Sequence, residues 1–215
     1  GADAVKFQLW NPQNLKKGDW DHDGRRMLYE KSYLDHKKFK DLYKYSKKNK
    51  IICFASIFSK NDLELHKKIS KNFVKIPSSE AHDFSLIKSA LRTFKNVIIS
   101  TGALKKKELN KLVGLKNKKI ILLHCVSSYP LNDIDINFKK FKYLKRKFKK
   151  VGYSGHSSGI KDAIWAISNN ALVVEKHFTI NNNLKGRDNK FSITPKTLKQ
   201  IEELINFHFL ANYKK

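Results

Sequence analysis

Short β-branched runs recur along this 215-residue chain, and helical patterns fill the gaps between them. The runs are Ala4–Gln8, Ile51–Ile57, Phe73–Ile76, Val97–Thr101, Ile120–His124, Val151–Tyr153 and Leu172–Phe178. Those starting at 51, 73, 97 and 120 stand 22, 24 and 23 residues apart, room for one strand and one crossover helix. Such a crossover returns the chain parallel to the strand it left. Repeated right-handed units of this kind curl into a barrel or a doubly wound sheet.

The helical gaps carry apolar stripes. Leu86, Ile87, Ala90, Leu91 and Phe94 form one, with Asp83 or Ser85 as its cap. Ile164, Ile167 and Ala171 lie on another, and Leu198, Ile201, Leu204, Ile205 and Phe209 on the last. Phe138, Phe141, Leu144 and Phe148 are spaced for one helix face within the densest basic stretch. That pattern reads as an amphipathic helix with a solvated lysine face. The segment Leu9 to Lys50 is the least regular. It holds Gly18-Asp19, an acidic turn at Asp21-His22-Asp23-Gly24 without the rest of a calcium loop, and a helical pattern through Leu34, Phe39, Leu42 and Tyr45.

Polar clusters fall just after the strands: Ser78-Ser79-Glu80, Ser100-Thr101-Gly102, Ser127-Ser128-Tyr129, Ser154-Gly155-His156 and Lys176-His177. Polar rims on five strands favour an α/β fold of the (β/α)8 TIM-barrel type over an open sheet, whose site gathers at one switch point. Seven strands in 215 residues fall short of the roughly 250 residues usual for that fold. The expectation is a single barrel domain over 1–215 lacking its first strand and helix, a fragment with exposed facing edges at Ala4–Gln8 and Leu172–Phe178.

Composition narrows the function classes. The 45 Lys+Arg against 19 Asp+Glu give a net charge of +26, yet arginine stands only at 25, 26, 92, 146 and 187. Nucleic-acid readers lean on Arg for bidentate contacts, so drift in surface composition is favoured over nucleic-acid binding. No apolar run approaches the roughly 18 residues of a membrane span, and no secretory leader is recognisable. Cys53 and Cys125 sit inside apolar runs and read as buried thiols of a reducing, cytoplasmic protein.

His156 and His177 follow the last two strands, close enough on a barrel rim to share a metal that keeps positions open for substrate. The alternative is two unrelated polar residues, one of them a core histidine. His124, inside a strand, reads as packed, and His22, His36, His66, His82 and His208 as surface residues. Lys6 and Lys75 lie within β-runs, where two lysines aimed inward imply a phosphate or carboxylate. Ser56, Ser78, Ser100, Ser127 and Ser154 end successive strands and supply hydroxyl donors for the same anion. Glu80, Tyr129 and Asp188 are candidate partners for a polyhydroxylated substrate. There is no Ser-His-Asp arrangement, phosphate loop or Cys-x2-Cys zinc pattern.

Taken in order, these motifs resemble the sialic acid synthases. The resemblance is carried by Gly1-Ala-Asp-Ala-Val-Lys-Phe-Gln8, Lys75-Ile-Pro-Ser-Ser-Glu80, Ile99-Ser-Thr-Gly102, Leu122-Leu-His-Cys-Val-Ser-Ser-Tyr-Pro130, Gly152-Tyr-Ser-Gly-His156, Glu175-Lys-His-Phe-Thr179, Leu184-Lys-Gly-Arg-Asp188 and Phe191-Ser-Ile-Thr-Pro195. It implies condensation of phosphoenolpyruvate with an N-acetylated amino sugar such as N-acetylmannosamine, releasing phosphate and giving a nine-carbon 2-keto sugar acid. It also implies a divalent Mn2+ or Mg2+ ion on His156 and His177. Phosphoenolpyruvate is then held by Lys6, Lys75, Ser56, Ser78, Ser100, Ser127 and Ser154, and the sugar by Gln8, Glu80, Tyr129 and Asp188. A legionaminate- or pseudaminate-type synthase and an inactive anion-binding remnant stay open beside it.

Four departures accompany the resemblance. The family's acidic first-strand motif is absent, as is its C-terminal antifreeze-like domain, which closes over a partner subunit's site and so implies a homodimer. The stretch Ala55-Ser-Ile-Phe-Ser59 replaces Ser-Thr-Pro-Phe-Asp, and Asp188-Asn189 replaces Asp-His.

Overall fold

A computed structural model describes residues 1–14, 17–18 and 21–213. They form two compact units, Asp3–Val97 and Gly1–Ala2 with Ile98–Lys215. In the first, β1 (Ala4–Leu9) leads through α1 (Arg25–Lys31) and α2 (His36–Lys48) to β2 (Ile52–Ile57). From there α3 (Lys60–Lys67) leads to β3 (Phe73–Ile76) and α4 (Phe84–Thr93). The strands β1, β2 and β3 pair parallel and in chain order, as expected of crossover units.

Period-two alternation gives these strands two different faces. Val5, Phe7 and Leu9 of β1 stand level with Cys53, Ala55 and Ile57 of β2. Leu9, Cys53 and Ala55 form a core cluster with the fully buried Phe39 of α2, against which Val5 and Phe7 pack. The intervening residues turn the other way and carry the polar side chains discussed below. Helix starts are held by short polar residues that satisfy orphan N–H groups. Asp35 accepts from Lys38 N at 2.8 Å, Ser59 from Asp62 N at 3.2 Å, and Asp83 from Ser85 N and Leu86 N at 2.8 and 2.9 Å. Of the two caps open for α4, Asp83 is the one used.

β4 (Asn96–Ser100) carries the chain into the second unit, which continues α5 (Lys106–Gly114), β5 (Ile120–His124), α6 (Phe138–Lys147), β6 (Val151–Gly155), α7 (Lys161–Ser168), β7 (Val174–Lys176) and α8 (Pro195–Tyr213). Here too β5, β6 and β7 pair parallel in chain order, the winding of a barrel wall rather than the reversal of a doubly wound sheet. Seven strands are present among the described residues. On α6, Phe141 and Leu144 are buried while Lys139, Lys142, Lys145 and Arg146 are exposed, as expected of an amphipathic helix, but Phe148 falls outside it as the extended residue that caps its C-terminus. Phe138 stacks on Trp165 of α7 with ring centroids 3.5 Å apart.

Several expectations need correction. The last β-run shrinks to Val174–Lys176: Leu172 and Phe178 are 57% and 51% exposed, although the Leu172 N–H still donates to the Val151 carbonyl of β6 at 2.8 Å. The pattern through Leu34 and Tyr45 breaks: Leu34 precedes α2, Tyr45 is exposed, and Phe39 is the buried anchor. Ala171 lies beyond α7, whose buried residues are Asp162, Ala163, Ala166 and Ile167. Ile205 and Phe209 of α8 are exposed, and Ile201 is the buried contact. His66 is fully buried, not on the surface, wedged between the rings of Phe39 and Phe94.

The acidic turn is neutralised by ion pairs of Asp21 with Arg26 and Asp23 with Arg25. Asp19 lies outside the described residues. Cys53 and Cys125 are buried free thiols, as expected. No described helix is long and apolar enough to cross a membrane.

Candidate functional site

In the Asp3–Val97 unit, register collects four expected residues on the face opposite the Phe39 core. Gln8 stands level with Ser56, and Ser56 with Lys75. Lys6, two positions before Gln8, shares that face. The Lys6 ammonium donates to Ser56 Oγ at 3.3 Å. Lys75 is only 2% exposed, whereas Gln8 is exposed at the strand end. Ser78 and Glu80 follow at once in a half-buried 3-10 turn. Two ammonium groups on one face, beside a hydroxyl, make an anion-accepting surface.

In the second unit the expected residues gather around two imidazoles. His156 follows β6 and His177 follows β7, and their ring centroids lie 5.6 Å apart. Tyr129, on the loop after β5, lies 4.2 Å from the His156 ring and 6.0 Å from that of His177. Phe191 closes the group at 5.4 Å from His177 and 6.2 Å from Tyr129. Asp188 Oδ2 stands 3.4 Å from His177 Nδ1. His156 is nearly buried, and its Nδ1 donates to the Val126 carbonyl at 2.7 Å. That tautomer leaves the lone pair on Nε2, where a metal or a proton would bind. Although Tyr129 as a residue is 40% exposed, loss of water around its phenol among these rings, reinforced by Cys125, Asp188 and Glu175, pushes it above its ordinary range and keeps it a hydroxyl.

Ser154 is buried one step below His156, and its Oγ donates to Glu175 Oε1 at 2.8 Å. Ser100 is buried at the end of β4, and Ser127 is exposed two residues before Tyr129. His124 stays outside this group. It stands level with Tyr153, on the side of β6 opposite Ser154, and its Nε2 donates to the Ile136 carbonyl at 2.8 Å.

Among the described residues, no three His, Cys, Asp or Glu side chains are placed to hold a metal together. If this group holds an ion, His156 and His177 are the two imidazoles it offers, and the remaining positions would fall to substrate and water. Sequence reasoning missed Glu175 and Phe191. Glu175 could have been found, because strand alternation puts it two positions before His177 on the same side. Lys176, expected on the rim with His177, is instead turned inward: its side chain is 3% exposed and pairs with Asp162, which sequence reasoning missed and which is fully buried, at 2.9 Å. Burial holds that ammonium below its ordinary value, against the opposing pull of Asp162.

Comparison with known proteins adds an independent finding. The model of the NeuB family matches residues 1–212. A pseudaminic acid synthase of Campylobacter jejuni (strain 81-176) is 34% identical over 209 residues, covering 90% of this chain and 61% of that protein. An N,N'-diacetyllegionaminic acid synthase of Campylobacter jejuni (NCTC 11168) is 32% identical over 219 residues, covering 94% of this chain and 66% of its own length. This chain thus spans less than two thirds of either. The crystal structure of an N-acetylneuraminic acid (sialic acid) synthetase from Leptospira borgpetersenii, in complex with citrate, superposes over 100% of this chain and 76% of its own. The TM-score is 0.89 and the identity 33%.

Proposed function

The chain belongs to the NeuB family, and from that premise we propose that it catalyses the condensation of phosphoenolpyruvate with an open-chain N-acetylated amino sugar. The enol carbon bonds to the sugar aldehyde carbon, water supplies the new oxygen at the keto carbon, and inorganic phosphate leaves. The product is a nine-carbon 2-keto sugar acid. The observation that carries this reading is the aromatic-framed histidine pair, with His156 locked in one tautomer by the Val126 carbonyl and His177 beside Asp188.

His156 and His177 would hold a Mn2+ or Mg2+ ion, which supplies polarisation of an aldehyde oxygen when bound. Lys6 and Lys75, with Ser56, Ser78, Ser100 and Ser127, serve the phosphate and carboxylate of phosphoenolpyruvate by charge-assisted hydrogen bonds. Ser154 drops out of that set, because its one proton is already donated to Glu175. Glu175 accepts the Ser154 proton and so fixes where that hydroxyl oxygen can itself accept. Gln8, Glu80, Tyr129 and Asp188 serve the sugar hydroxyls, Tyr129 as a donor that stays protonated. The same reading takes the strands as wall of a (β/α)8 barrel and the working form as a homodimer. N-acetylmannosamine, legionaminate-type and pseudaminate-type acceptors all fit this reading, since synthases named for the three products stand at 33%, 32% and 34% identity to this chain.

The test is phosphate release from phosphoenolpyruvate in the presence of Mn2+ and each candidate sugar. Release that requires both an N-acetylated sugar and intact His156 and His177 supports the reading. Release unaffected by His156→Ala and His177→Ala refutes it.

A further inference from the structure

Lys176 and Asp162 form an ion pair inside the Ile98–Lys215 unit that none of the steps above uses. Their side chains are 3% and 0% exposed. Every donor and acceptor in the pair is engaged. Lys176 Nζ reaches Asp162 Oδ1 at 3.0 Å, Asp162 Oδ2 at 2.9 Å and the Ser157 carbonyl at 2.8 Å. Asp162 Oδ1 also accepts from Ala163 N at 2.9 Å, and Oδ2 from the Tyr153 hydroxyl at 3.1 Å.

The placement of these bonds is what matters. Lys176 immediately precedes His177, and Ser157 immediately follows His156. One ammonium therefore ties together the two backbone segments that carry the histidines. It does so from behind. Glu175 stands level with Ser154 and bonds to it, while Lys176 stands level with Gly155 and turns to the opposite side, towards α7. Gly155 is part of the same construction: a Cβ there would lie 2.1 Å from Asp162 Oδ2 and 3.0 Å from Lys176 Cδ. A side chain at 155 and the ion pair exclude one another.

Stability alone gives no reason to bury such a pair. Replacing a buried ion pair with apolar residues of similar volume is often neutral or stabilising, whereas removing one partner strands the other charge. Holding two strand ends in a fixed relation is a different gain, and the bonds here run to both of them.

We infer that the Lys176–Asp162 pair is a positioning device that sets the spacing and orientation of His156 and His177 for a shared divalent cation. The inference rests on the reading of those histidines as metal ligands. Lys176, Asp162 and Gly155 are positioning residues, since none touches the ion.

The experiment is a Mn2+ titration followed by the electron paramagnetic resonance signal of the free ion, on wild type, Asp162→Asn and the double variant Lys176→Met/Asp162→Leu. Loss of an outer partner of this kind weakens metal binding about tenfold to a hundredfold. The double variant leaves no buried charge, so it is expected to melt near wild type and still bind Mn2+ weakly, a split that a purely stabilising role would not produce. Asp162→Asn, which keeps an acceptor for Tyr153 and Lys176, serves if the double variant does not fold. Wild-type Mn2+ affinity in the folded variants overturns the inference and leaves the metal reading standing. Absence of Mn2+ binding by wild type overturns the metal reading itself, and the inference with it.

Discussion

Acid should unfold this protein through histidines buried as neutral bases, and His66 allows the effect to be worked out. Its ring lies between Phe39 and Phe94, with centroids 5.3 and 5.2 Å away. Nε2 donates to the Phe73 carbonyl at 2.9 Å, while the buried Nδ1 has no hydrogen-bond partner. Protonation would put a charge and a new N–H into that apolar setting, so burial lowers the histidine from 6.5 to about 4. The folded-state value is depressed, so between these limits the unfolded chain binds more protons than the folded one. Stability is then complete above about pH 6.5 and falls as pH drops through the window. At 1.36 kcal/mol for each pH unit the loss integrates to about 3 kcal/mol. His124, with Nε2 on the Ile136 carbonyl and an unpartnered Nδ1, is lowered to about 4 for the same reason.

The assay is urea unfolding of wild type and His66→Gln at several values between about pH 7 and pH 4.5. Glutamine keeps a donor for the Phe73 carbonyl and does not titrate. The stability difference between the two proteins should shrink by up to about 1.4 kcal/mol per pH unit on acidification. Parallel curves with a constant difference would show that His66 is protonated without penalty, and the reasoning from burial would fail.

Other expectations follow from single contacts. Phe39→Ala removes the fully buried anchor of the β1–β2 face and should cost about 3–5 kcal/mol in urea unfolding. Gly152→Ala would bring a Cβ to 2.4 Å from the Val173 carbonyl, so it should lower the melting temperature by forcing β6 and β7 apart; an unchanged melting curve contradicts that contact. Lys75→Met removes a buried cation level with Ser56. Equilibrium dialysis should show phosphoenolpyruvate affinity reduced by at least about tenfold, the loss of a charged hydrogen bond.

Much of the fold was legible because strand and crossover lengths are simple physical quantities. The starts of β2, β3 and β5 lie within a residue of their sequence positions, since each is an apolar run flanked by polar turns. The β7 run misled because apolar character does not distinguish the strand residues Val174–Lys176 from Leu172 and Phe178, whose side chains are exposed although Leu172 N bonds to β6 and Phe178 bridges to Ile193. The histidine pair was legible from its place at two consecutive strand ends. His66 was misread although Leu63, three residues earlier, is buried on the same turn of α3. The Lys176–Asp162 pair could not have been read, because it exists only once the start of α7 folds back over β6 and β7.

The decisive measurement is a calorimetric titration of the chain with phosphoenolpyruvate, with and without Mn2+. Saturable binding that strengthens with Mn2+, and loses that gain in His156→Ala, is the predicted result. A folded chain that binds no phosphoenolpyruvate under either condition would contradict the account.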